Sequence, residues 1–256
     1  MRSYRTGKAT LPAGQSIIVV FVFLVLTLSA SAAVQVERGV GQTVSGQAIF
    51  SWARTNGGEV VEAGITIPLA IIENPPTRKG SGPAGAVAVL DFPPIVQQTT
   101  FLNHFELQWE KEGHEPPVFM VPHFDFHFYG VSPEAVLKVA APDPSPPPAE
   151  RIPAGFTYPG AEYTVPQMGV HAFRPADLEK PFTDVLIFGY YGGQMTFIEP
   201  MVTQETLLKQ KPINYVVPVP ASIGNSTRFP KQFKIEYDPA SGACHLKFSD
   251  FVTTAP

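Results

Sequence analysis

The nine residues 122–130, PHFDFHFYG, constrain this chain more than any other stretch. Read with the two-residue period of an extended chain, they put Phe124, Phe126 and Phe128 on one side and His123, Asp125, His127 and Tyr129 on the other. A helix would scatter both sets, so the segment reads as a strand with an apolar face to bury and an opposite face unusually rich in ionisable groups. The fold has to provide a core for the phenylalanines and an environment for the imidazoles and the carboxylate.

The flanking sequence carries the same period. FLNHFELQWE, residues 101–110, alternates Phe101, Asn103, Phe105, Leu107 and Trp109 with Leu102, His104, Glu106, Gln108 and Glu110, a strand of about ten residues with one mostly apolar and one polar face. Three runs between residues 42 and 95 are rich in Val, Ile, Ala and Phe, and the Asn-Gly-Gly at 56–58 predicts a hairpin between the first two, in an opening antiparallel meander. Gly192-Gly193 predicts a second hairpin inside DVLIFGYYGGQMTFIEP, and FKIEYDPASGACHLKF a third, with Cys244 facing the core and His245 the wetter side. Short helices are expected after Ser132 and after Thr203, each a suitable cap. With 28 prolines and 21 glycines to punctuate the chain, these elements predict a mainly β fold, an antiparallel sandwich or barrel with two short helices. The proline-rich stretch at 141–154 reads as a stiff surface loop within one domain spanning 34–256.

Residues 1–33 read as a targeting segment: Arg2, Arg5 and Lys8, then the apolar run SIIVVFVFLVLTLSA, then small residues at 30–32 where a signal peptidase cuts. The alternative is a retained anchor over 16–33, which would tether the protein to a membrane. Removing the leader leaves 15 basic against 22 acidic side chains, so nucleic acid is excluded as a partner for want of a basic footprint. The single cysteine means that an exported chain would be held together without an internal disulfide.

The histidines carry the candidate chemistry. On a strand, residues two apart lie about 6.6 Å from each other, so His123 and Asp125, or Asp125 and His127, can grip one ion from the same face. His123 and His127 lie about 13 Å apart and share an ion only if the strand bends or the ion sits above Asp125. His171, in the separate segment VPQMGVHAF, supplies a further ligand. His-x-Asp followed by a distant His is the order of the two-His-one-carboxylate triad of iron oxygenases, and the same donors suit zinc with one water. No arginine stands about ten residues past His171 to hold a 2-oxoacid, which speaks against an oxoglutarate oxygenase. The expected ligands are therefore His123, Asp125, His127 and His171 on a divalent zinc or iron ion, with His114, Glu115, Tyr129 and Glu199 as outer partners. His104 and His245 read as ordinary surface residues. The competing reading is a non-catalytic envelope protein whose cluster is a structural hydrogen-bond network. A nucleophile is not indicated, since no Gly-x-Ser-x-Gly occurs and Cys244 has no basic neighbour.

GHEPPVFMVPHFDFHFYGVS, VPQMGVHAF and FTDVLIFGYYGGQMTFIEPMVTQETL, in that order, together with GQAIFSW and VEAGITIPLAII nearer the start, resemble the TTHB-like domain family of exported prokaryotic proteins without an established activity. The resemblance implies a centre built around His114, Glu115, His123, Asp125, His127, His171 and Glu199, and homo-oligomeric assembly. It implies no enzyme class. The proline-rich loop at 142–149 is longer than that pattern.

Overall fold

The computed structural model describes residues 33–256; residues 1–32, and with them nearly all of the expected targeting segment at 1–33, lie outside the described residues. Along the chain, β1 (Val34–Arg38), β2 (Gln42–Val44), β3 (Gln47–Asn56) and β4 (Glu59–Pro68) come first, followed by α1 (Leu69–Glu73), β5 (Ala88–Asp91), α2 (Pro94–Thr99), β6 (His104–Glu110) and β7 (His123–Tyr129). Then come α3 (Pro133–Val136), β8 (Val170–Ala172), β9 (Asp184–Tyr191), β10 (Gln194–Thr203), α4 (Gln204–Leu208), β11 (Ile213–Val216), β12 (Arg228–Asp238) and β13 (Ala243–Thr253). The strands form two antiparallel sheets, one in the order β1-β3-β4-β13-β12-β11 with β2 paired to β3, the other in the order β5-β6-β7-β10-β9-β8. Neither closes into a barrel, and the architecture is a sandwich.

The predicted turns form where positive φ is cheap. Gly57 and Gly58 close the β3–β4 hairpin at φ 60° and 83°, and Gly192 and Gly193 close β9–β10 at 61° and 76°. Ser132 and Thr203 cap α3 and α4 by accepting from the backbone N–H of Ala135 and Thr206. Two further short helices, α1 and α2, stand where apolar runs read as strand. Pro68 ends β4, and Leu-Ala-Ile-Ile follows it as one helical turn, while Pro93 and Pro94 start α2. The chain passes from the first sheet to the second after α1, so β5 leaves the opening meander and pairs with β6, the next strand after α2.

Phe124, Phe126 and Phe128 are fully buried, as the alternation requires, in the core between the sheets. Phe128 meets Phe233 and Phe248 of the opposite sheet at centroid distances of 5.9 and 4.8 Å. The outer face of the second sheet is covered too. Phe119, Val136, Met168 and Phe182, from the segments flanking β7 and preceding β9, pack with Val185, Ile187, Phe197 and Met201 into a separate apolar cluster above it. The proline-rich loop is pinned to the β9–β10 turn by buried Asp143, which accepts from Gly192 N at 2.8 Å, Ser145 N at 3.1 Å and the Tyr158 hydroxyl at 2.8 Å.

No helix among the described residues is long and apolar enough to cross a membrane.

Candidate metal centre

Because β7 is central in its sheet, its polar face meets polar residues from both neighbours. On β6, Glu106 stands opposite His127 and Gln108 opposite Asp125, while on β10 Met201 stands opposite Asp125. The same register sets Glu199 beside His127; the ladder between β10 and β7 breaks at Glu199 and Pro200, as a residue without an N–H requires. With the apolar cover above, His104, Glu106, His123, Asp125, His127 and Glu199 are all buried. His104 is thus no surface residue: its Nδ1 lies 2.9 Å from the Val131 carbonyl and its Nε2 3.3 Å from Glu106 Oε1. His245 is likewise half-buried, 2.9 Å from the Thr66 hydroxyl.

The face holds two groups rather than one. The first is His114, His123 and Asp125; the second is His127, His171 and Glu199. His123 and Asp125 therefore gather with His114, and His171 reaches the strand at His127 through Glu199, so the expected four-residue set is divided between neighbouring clusters. His114 and Glu199, expected as outer partners, supply atoms to the groups themselves. Glu115 contributes only its backbone: its side chain is exposed, and its carbonyl accepts from His114 Nδ1 at 2.8 Å. Tyr129 is fully buried, its ring 4.7 Å from that of His104 and 5.7 Å from that of His127, and its hydroxyl has no hydrogen-bond partner.

In the first group, local backbone fixes both imidazoles. Gly113, at φ 72°, turns the chain so tightly against Phe119–Val121 that no Cβ fits, and this brings His114 over His123. His123 Nδ1 donates to the Val121 carbonyl at 2.7 Å, and His114 Nδ1 to that of Glu115. A carbonyl only accepts, so both Nδ1 atoms carry hydrogen and both Nε2 atoms face inward. The two Nε2 atoms are 3.1 Å apart, His123 Nε2 is 3.1 Å from Asp125 Oδ1, and His114 Nε2 is 3.5 Å from Asp125 Oδ2. A tetrahedral ion with bonds of about 2.0–2.1 Å would hold such atoms roughly 3.3 Å apart.

The charges are complementary. Burial opposes the Asp125 charge, yet the adjacent imidazoles of His114 and His123 hold its carboxyl far below the usual range. Burial would lower the pKa of His114, but its contact with Asp125 outweighs this and raises it to about 9. Asp125 Oδ1 is nonetheless buried, and with the His123 hydrogen on Nδ1 the 3.1 Å contact to His123 Nε2 leaves that oxygen without a donor. Such an orphan costs roughly 1–3 kcal/mol.

In the second group His127 Nε2 is 3.3 Å from Glu199 Oε1, and His171 Nε2 is 3.5 Å from Glu199 Oε2. Burial pushes His127 down to about 3 and His171 to about 4, and burial with the Asp125 charge pushes Glu199 well up. The Phe197 ring fills the space that a Cβ at Gly189 would need and packs against both imidazoles, 4.7 Å from His127 and 5.1 Å from His171. His104, Glu106 and Gln108 were not expected here. Their signal was the alternating polar face of β6, which reads as solvated until the cover above it is known.

A mainly β sandwich with two buried His-carboxylate clusters on one sheet face, each able to hold a metal ion, is the class of protein that fold and site define. The model of the TTHB210-like family, described as hypothetical protein TTHB210, matches residues 56–109, the stretch from the β3–β4 turn through β6. It is a family of uncharacterised function, and it agrees with the family that the motifs resemble. No curated protein and no solved structure matches the chain.

Proposed function

We propose that this is an exported protein that binds a divalent transition ion, zinc or iron(II), through His114 Nε2, His123 Nε2 and Asp125. The observation that carries the reading is the set of spacings, 3.1 Å between the two Nε2 atoms, 3.1 Å from His123 Nε2 to Asp125 Oδ1 and 3.5 Å from His114 Nε2 to Asp125 Oδ2, with that Oδ1 buried and without a hydrogen-bond partner. Two imidazoles and a carboxylate suit both metals. His114, with 39% of its side chain exposed, forms the outer wall, so a water or small molecule can complete the coordination. An ion in such a centre supplies Lewis acidity and an acidified water. Export rests on the basic start and the tapering apolar run, and homo-oligomeric assembly on the family resemblance.

The second reading, a non-catalytic envelope protein with a structural polar network, draws on the hydrogen-bond chain from His104 through Glu106 and Gln108 to His127. It leaves Asp125 Oδ1 without a partner. Elemental analysis of protein purified without a histidine tag separates the two. The metal reading expects bound zinc or iron, of which one equivalent is lost in His123→Ala; metal-free protein that refolds fully in chelator would establish the network instead.

A further inference from the structure

The geometry points to a second, separate divalent-ion site, formed by His127 Nε2, His171 Nε2 and the Glu199 carboxylate, so that the protein carries two ions on one sheet face. The inference rests on the metal reading of the first group and extends it. Asp125 and His127 are two residues apart on β7, about 6.6 Å between Cα atoms. Each group has its own carboxylate and its own imidazoles, and no ligand is shared.

Three observations distinguish this group from a hydrogen-bonded cluster. First, His127 Nδ1 is 2.7 Å from Gln108 Oε1, while Gln108 Nε2 donates to Glu106 Oε2 at 3.3 Å. The amide is thereby oriented with its oxygen toward the imidazole, Nδ1 carries the hydrogen, and the lone pair of His127 Nε2 points at Glu199. Outer partners that fix a histidine in this way are a recurring feature of metal sites. Second, His127 Nε2 and Glu199 Oε2 are both buried with no hydrogen-bond partner, on side chains 0% and 1% exposed. Unpaired polar atoms in a core are rare, and an ion placed between them would engage both at once. Third, His171, with 23% of its side chain exposed, closes the group from the solvent side, so an ion has a route in. Two imidazoles and one carboxylate on a mostly buried face select a transition ion such as zinc or iron(II) over calcium or magnesium, which prefer all-oxygen sites.

The test is a zinc-loading series on the full mature chain: excess zinc is added, unbound ion is removed by desalting, and bound zinc per chain is counted by elemental mass spectrometry. Wild type is expected to retain two equivalents, and Glu199→Gln and His171→Ala one each. Glu199→Gln keeps the side-chain shape and His171 lies at the rim, so at least one of the pair should fold. Asp125→Asn should also retain one, the other ion. Gln108→Leu should weaken the second ion by roughly 10–100-fold and leave the first unchanged. A wild type that stops at one equivalent, lost in Asp125→Asn and kept in Glu199→Gln, overturns the second site and leaves the first standing. A wild type that binds none overturns both, and two equivalents retained in Glu199→Gln and His171→Ala overturn the assignment of ligands.

Discussion

Truncating Phe128 to alanine should be among the most destabilising single changes in the molecule. Its ring is fully buried and touches both sheets: Phe105 at 5.0 Å and Phe92 at 6.3 Å on its own side, Phe248 at 4.8 Å and Phe233 at 5.9 Å on the other. Large-to-small core changes of this kind cost about 3–5 kcal/mol, and most where neighbours cannot close the cavity. Here Phe105, Phe233 and Phe248 are fixed on paired strands of two different sheets, so the cost should fall near the upper end, about 4–5 kcal/mol. For a chain of this size that corresponds to a fall of roughly 8–20 °C in Tm. Urea unfolding followed by intrinsic fluorescence, with Leu137→Ala at an exposed site as control, measures it. A Phe128→Ala protein whose midpoint matches that of the control would mean that the phenylalanine face is not the contact between the sheets, and the assignment of faces on β7 would fail with it.

Zinc affinity of the first site should rise by about tenfold per pH unit below pH 9 and level off above it, because the ion must displace the proton that Asp125 holds on His114; competition against a chelator at several pH values checks the slope, and a flat profile contradicts the linkage. Asp143→Ala should cost about 2–4 kcal/mol by leaving its donors at Ser145, Gly192 and Tyr158 unpaired, and should make the 142–149 loop the first point of limited proteolysis. Thr203→Ala removes the cap of α4 and should cost about 0.5–2 kcal/mol in denaturant unfolding. Intact mass of the protein from its native host should show a chain beginning near Ala32 or Ala33; a species retaining residues 1–30 would instead support the anchor.

Much of the fold was legible because period and punctuation are local. The alternation of β6 and β7, the glycine turns at 57–58 and 192–193 and the caps at Ser132 and Thr203 are each set by residues within a few positions of one another. The one-turn helices α1 and α2 were not, since four or five apolar residues are too few to show a helical period, and only Pro68, Pro93 and Pro94 mark the change. At the site, His123, Asp125 and His127 were visible because one strand presents them together. Their division between two groups was not visible, because it depends on the Gly113 turn returning His114 and on β10 placing Glu199 beside His127. Burial of His104 and Glu106 depends on loops from distant parts of the chain that no pattern within β6 reports.

Anomalous diffraction at the zinc edge, from crystals of tag-free protein grown with zinc, tests the central claim most directly. The account predicts a peak about 2.0–2.1 Å from His114 Nε2, His123 Nε2 and an Asp125 oxygen, all at once. A zinc-soaked crystal with no peak there, and with a proton-mediated contact between His114 and Asp125 intact, would contradict it.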